Sequence, residues 1–187
     1  MIEAYKNEEY KVEVINGFEI VMMSPAFSNH NLVKGNIHYI FQSYLRNNIC
    51  IPVPDGEKLV LNDDSYVIPD FFVVCDREKF RKDGVYGTPN LIVEVLSDST
   101  MKYDRGAKKE LYQSSGVKEY WLVEPDSKFI EVYLLQNDVY VLDEIYRYPN
   151  ELEDIKEQAL AITKFKPDTF PEMTIELDEV FRNVFDW

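Results

Sequence analysis

The sequence predicts an α/β (α+β) domain: a mixed β-sheet flanked by helices, with a β-hairpin near its N-terminal end. Three observations carry this expectation. Residues 10–23 alternate about Asn16-Gly17, a dipeptide that favours the type I′ turn of a hairpin. Residues 28–48 repeat apolar side chains at helical spacing. Residues 71–75 and 91–96 are nearly continuous apolar runs followed by a charged helical pattern. That β-β-α order, continued by another apolar run at 119–123, is the arrangement of a mixed sheet covered by helices.

Taken in order, Pro25 ends the hairpin and Ser28 or Asn29 is placed to cap the first helix. Leu32, Val33, Ile37, Ile40, Phe41, Tyr44 and Leu45 form its apolar stripe. Residues 49–54 and 57–61 read as short strands, the first an edge strand because of Pro52 and Pro54. Residues 62–65 read as a turn, and 77–88 as a charged helical turn and loop. The run 91–96 has the composition of a strand covered on both faces. A helix is expected over about 103–115, stopped by Gly116. Residues 129–135 and 139–146 pair as a meander, 149–157 are loop-like or weakly helical, 159–165 is a candidate strand, and 178–185 a short helix.

The 187 residues make one domain, 1–187, large enough for a real core. Aromatic residues reach 14% and hydrophobic ones 45%, so disorder is not expected. Cys50 and Cys75 form no framework, and Cys75 reads as a buried free thiol. Charges at Lys6, Glu8, Glu9 and Lys11 leave no room for a secretory leader. No apolar run approaches the roughly 20 residues that span a membrane, so the expectation is a cytoplasmic protein with no membrane partner. The net charge of −14 opposes general nucleic-acid affinity. It is uneven: residues 77–112 carry 8 basic and 6 acidic groups, the one segment without an acidic excess.

That segment also holds the candidate chemistry. Asp70 opens one apolar strand and Glu94 interrupts the next. An unpaired charge there is costly. A bound divalent cation would offset that cost; so would a basic partner or a solvent-facing strand end. Ser97 and Ser99 have no histidine in a triad pattern, so serine hydrolysis is not expected.

Pro69-Asp70, Glu94 in IVEVLS, the row Asp104, Lys108, Tyr112, and GVKEYWLVEP together resemble the Uma-two family of restriction-endonuclease-labelled proteins, within the PD-(D/E)xK nuclease superfamily. The resemblance runs from Asn16-Gly17 to FPEMTIELDEVF. It implies a restriction-endonuclease-like core that binds Mg²⁺ or Mn²⁺ through Asp70, Glu94 and the carbonyl of Val95. Lys108 would replace the superfamily lysine two residues after Glu94, where this chain has Leu96. The implied reaction is phosphodiester hydrolysis in nucleic acid, DNA ahead of RNA, and the implied catalytic group is Asp70, Glu94 and Lys108.

Helical spacing separates Lys108 from Lys109, because only Lys108 borders the apolar docking residues Leu111 and Tyr112 at both three- and four-residue spacing. Asp104, one turn earlier, would hold it, and Tyr112 would pack over it. Glu19 and His30 are accessory candidates; for Glu19 a solvent-facing strand position competes, and for His30 a surface or capping one. The many aromatic residues, and an active site that cuts one strand at a time, lead to the expectation of a homodimer. The competing functional reading is a nuclease fold with little turnover that binds nucleic acid or a protein partner, favoured by Leu96 and the acidic charge.

Overall fold

The computed structural model describes residues 11–22, 28–149 and 162–186. β1 (Lys11–Ile15) and β2 (Phe18–Met22) form the hairpin in antiparallel register. Asn16 and Gly17 both take positive φ, 52° and 80°, which is the type I′ turn that Asn-Gly favours. Helix α1 (Ser28–Tyr44) ends earlier than its apolar pattern implies. Past it, single turns close from the Leu45 and Asn48 N–H groups. Its stripe buries Val33, Ile37 and Phe41, with Leu45 just beyond the helix, while Tyr44 stays exposed. Ser28 already lies inside the helix, and the Asn29 amide donates to Asp126 Oδ1 and the Phe185 carbonyl, tying the helix start to the C-terminal segment.

There follow β3 (Ile51–Pro54), β4 (Leu59–Asn62), β5 (Ser65–Val67), β6 (Phe71–Val74), β7 (Phe80–Arg81), β8 (Gly84–Tyr86) and β9 (Leu91–Val95). β7 and β8 stand where a loop was expected, and β5 follows the expected turn, which Asp63 and Asp64 make between β4 and β5. These strands are two or three residues long, too short to display a period of two in sequence. The helix expected over 103–115 is two helices, α2 (Met101–Arg105) and α3 (Ala107–Ser114). They break at Gly106, whose φ of −113° and ψ of −104° fit no helix. β10 (Glu119–Glu124), β11 (Phe129–Gln136) and β12 (Val139–Arg147) complete the meander, turning at Asn137 and Asp138 with positive φ. β13 (Lys164–Phe165) pairs with β14 (Ile175–Glu176), and the last helix, α4 (Leu177–Val180), is shorter than the expected 178–185. Residues 150–161, with most of the acidic stretch and the start of the expected 159–165 strand, lie outside the described residues.

Two six-stranded sheets result, where the sequence led to one sheet plus a hairpin. The central sheet has the order β12-β11-β10-β9-β6-β3, with only β9 and β10 parallel. The second has the order β2-β1-β5-β4-β8-β7, so the hairpin is its edge. One face of the central sheet (Phe71, Val73, Val93, Trp121, Val123) packs on α1 and the C-terminal segment. The other (Phe72, Val74, Ile92, Tyr120, Leu122) packs on the second sheet and α3. Both faces of β9 are therefore covered, which explains its unbroken apolar run.

Cys50 and Cys75 form a disulfide, so Cys75 is not a free thiol. The antiparallel register of β3 on β6 pairs Ile51 with Val74; its next step sets Cys50 opposite Cys75. Two cysteines far apart in sequence show no such register by themselves.

Candidate active site

The same kind of register brings the two acids together. β6 runs antiparallel to β9 with Phe71 opposite Val93, so Asp70, the residue before β6, comes opposite Glu94. Their main chains and carboxylates interlock. The Asp70 N–H donates to Glu94 Oε2 at 3.2 Å, and the Val95 N–H donates to Asp70 Oδ2 at 2.9 Å.

Beneath Glu94 lies a buried ionic cluster. Lys108 Nζ sits 3.1 Å from Glu94 Oε1, 3.1 Å from Glu13 Oε1 and 3.4 Å from Asp104 Oδ1. The Tyr112 hydroxyl donates to Glu94 Oε1 at 2.6 Å. The row Asp104, Lys108, Tyr112 thus shares one face although the helix breaks at Gly106. Lys109 faces elsewhere, its ammonium 3.4 Å from the Tyr133 ring centre. The Tyr120 hydroxyl donates to the Asp104 carbonyl and anchors α2. Leu96, where the superfamily lysine would stand, is buried.

Glu13 is a site residue that the sequence reading missed. It is 1% exposed and accepts the Ile68 N–H at 2.8 Å. In Val12-Glu13-Val14 an alternating strand would turn both valines inward and the acid outward. The structure inverts this, because Lys108 lies on the inner side. A charge flanked by valines in a strand was the signal, the same one that drew attention to Glu94. Glu19, the accessory candidate from the same hairpin, pairs across from Val14 and is exposed, away from the cluster.

Two basic side chains approach Asp70 from α1, one turn apart. His30 Nε2 is 3.3 Å from Oδ2, and Lys34 Nζ is 3.5 Å from Oδ1 and 2.8 Å from Asp55 Oδ2. His30 is buried, not a surface or capping residue, whereas Lys34 and Asp55 were not singled out from sequence. A cavity of about 470 Å³ opens beside His30, floored by Leu96 and Met101 and rimmed by Asp98, Glu124 and Asp126. That rim repels phosphate.

The carboxyls are pushed apart electrostatically. Burial pushes Glu94 up to about 8, against the pull of Lys108 and helped by repulsion from Asp104, Asp70 and Glu13. Burial also acts to raise Asp70, but the His30 contact, Lys34 and the Val95 N–H outweigh it and hold that carboxyl below its ordinary value. Burial raises Asp104 as well. Burial would lower Lys108, yet Glu94, Asp104 and Glu13 raise it well above the usual lysine range. Opposite shifts on facing carboxyls are a mark of functional sites.

The residues fit a hard divalent cation. Three carboxylates surround one buried ammonium, and Glu13 Oε2 and Asp104 Oδ1 accept no hydrogen bond among the described residues. No three His, Cys, Asp or Glu side chains among the described residues form a complete cage. A cation held here would take one or two carboxylates and complete its shell with other oxygens and water.

Comparison with known proteins agrees with this architecture. A crystal structure titled as "a putative nuclease belonging to DUF820" from Anabaena variabilis superposes with a TM-score of 0.67 at 18% identity, covering 91% of this chain and 89% of that one, and so shares the fold. The uncharacterised protein slr1290 of Synechocystis sp. is 31% identical over 135 residues, 71% of this chain and 70% of its own. A second Synechocystis protein, sll1609, is 29% identical over 127 residues, 66% of this chain and 71% of its own. The model of the Uma2 family, described as "Putative restriction endonuclease", matches residues 1–163, and with a mixed α+β fold shared with a nuclease-titled structure, this chain belongs to the Uma2 family.

Proposed function

We propose that this protein is a divalent-metal-dependent nuclease that hydrolyses phosphodiester bonds, in DNA ahead of RNA. The observation that carries the reading is the facing pair Asp70 and Glu94, backed by Lys108 inside a surplus of buried carboxylates. The family's restriction-endonuclease description supports DNA as the substrate.

Asp70, Glu94 and the Val95 carbonyl would hold Mg²⁺ or Mn²⁺, which supplies Lewis acidity toward a phosphoryl oxygen and a bound water of lowered pKa. Asp70 is ready as a ligand because its neighbours keep it ionised. A cation held there would favour the ionised form of Glu94, whose proton would pass to solvent water. Lys108 fixes Glu94 in place and would lend positive charge to the phosphoryl group through that carboxylate. Tyr112, held protonated by burial and the nearby carboxylates, orients the same oxygen of Glu94.

The test is cleavage of supercoiled plasmid and of single-stranded DNA and RNA with Mg²⁺, with Mn²⁺ and with chelator. Metal-dependent cleavage that Asp70→Ala abolishes supports the reading; no cleavage of any substrate by the folded protein overturns it. A second reading, a nuclease fold retained for binding, is favoured by Leu96 at the superfamily lysine position and by the engagement of Lys108 with three carboxylates. It predicts nucleic-acid binding without turnover. We also propose that the protein is a homodimer, supported by exposed Phe18, Tyr39 and Phe185. Light scattering showing a monomer at micromolar concentration would reject the dimer.

A further inference from the structure

Lys34 stands between two carboxylates. It is held more closely by Asp55, at 2.8 Å, than by Asp70, at 3.5 Å. Its side chain is 15% exposed, so its position is set by these partners more than by solvent. Lys34 lies on the face of α1 that also carries His30. A cation bound to Asp70 would meet the Lys34 ammonium across the same carboxylate, and two positive charges at that separation repel. Asp55 gives the ammonium somewhere to stay. The other approach to Asp70, past His30, opens onto a cavity rimmed by Asp98, Glu124 and Asp126. Lys34, which does not line that cavity, is the ammonium held at Asp70 away from its acidic residues.

We propose that Lys34 is an exchangeable counter-ion: it neutralises Asp70 in the metal-free protein, withdraws toward Asp55 when a divalent cation binds, and then offers its freed N–H donors to a non-bridging oxygen of a nucleic-acid phosphate. This rests on the nuclease reading above. A lysine suits the task, being a compact point charge on a flexible stem with three rotatable donors.

The experiment titrates the full chain with Mn²⁺ alone by calorimetry, then measures binding of a fluorescent oligonucleotide by anisotropy in Ca²⁺. Lys34→Met should bind Mn²⁺ more tightly, by roughly three- to thirtyfold, because a competing charge is gone. The same variant should bind the oligonucleotide more weakly, with a salt slope smaller by about 1. Asp55→Asn should do the reverse for Mn²⁺, weakening it by a comparable factor, since Lys34 then has only Asp70. Lys34→Arg keeps the charge and should not gain Mn²⁺ affinity; together with Asp55→Asn it carries the test should Lys34→Met fail to fold. Unchanged or weaker Mn²⁺ binding by a folded Lys34→Met, or unchanged binding by Asp55→Asn, overturns the proposal and leaves the nuclease reading standing. A wild-type chain that binds no Mn²⁺ overturns both.

Discussion

Asp70 and Glu94 lie opposite each other at the end of an antiparallel strand pair, and each carboxylate accepts an N–H from the other's strand. Side chains hold the same carboxylates, His30 and Lys34 on Asp70 and Lys108 and Tyr112 on Glu94 Oε1, so a cation bound there would share or displace these partners. Metal binding can be read without turnover. Mn²⁺ at a hundred times its dissociation constant should stabilise the wild-type chain by about 2.7 kcal/mol, raising Tm, and Asp70→Ala should abolish the rise. An equal rise in the variant would move the metal elsewhere.

Lys108 sets its ammonium among the buried carboxylates of Glu13, Glu94 and Asp104. A lysine that merely borders the docking face of a helix could be truncated without harm to the fold. The structure argues otherwise, since breaking a buried ionic cluster by removing one partner costs about 3–5 kcal/mol. Lys108→Ala should therefore lose both metal-dependent cleavage and stability. Lys109→Ala removes a contact to Tyr133 worth about 0.5–1 kcal/mol and should cleave normally. Chemical denaturation and a plasmid assay on the two variants decide it; an inactive Lys109 variant with an active Lys108 variant would refute the assignment.

Glu13 and Glu19 share a hairpin but face opposite ways. Glu13→Gln should reduce cleavage and Mn²⁺ affinity by about tenfold or more, as loss of one close carboxylate charge implies. Glu19→Gln should change neither. Matching losses in the two variants would show that the hairpin acts through its fold and not through Glu13.

The Glu94 carboxyl is raised from an ordinary 4.5 to about 8 in the folded chain. A raised folded-state value means that the folded chain binds this proton more tightly than the unfolded one. The stability it contributes is complete below about pH 4.5 and is lost as pH rises through about 8. Glu94→Gln has no such proton to lose. In metal-free buffer the Tm of Glu94→Gln minus that of wild type should climb between pH 5 and pH 8.5. A flat or falling difference would show that Glu94 is ionised throughout.

The hairpin at Asn16-Gly17, the stripe of α1, the buried strands β9 and β10 and the turn at Asn137-Asp138 were all legible from local signals. Backbone conformation at Asn-Gly and apolar periodicity are properties of a few consecutive residues. The same locality singled out Asp70 and Glu94, each a charge beside an apolar run, and ranked Lys108 over Lys109 by helical spacing. The second sheet was not legible, because β5, β7 and β8 are too short to carry a period and exist only through their pairing with neighbouring strands. The Cys50–Cys75 bond depends on strand register, which no single segment specifies. Glu13 reads as an outward residue between two valines until Lys108, 95 positions away, is set beneath it. Lys34 is an ordinary helix lysine until α1 crosses the end of β6 and brings it to Asp70 and Asp55. Local sequence determined which elements form; long-range register and the packing of α1 and α3 on opposite faces of one sheet decided which charges meet.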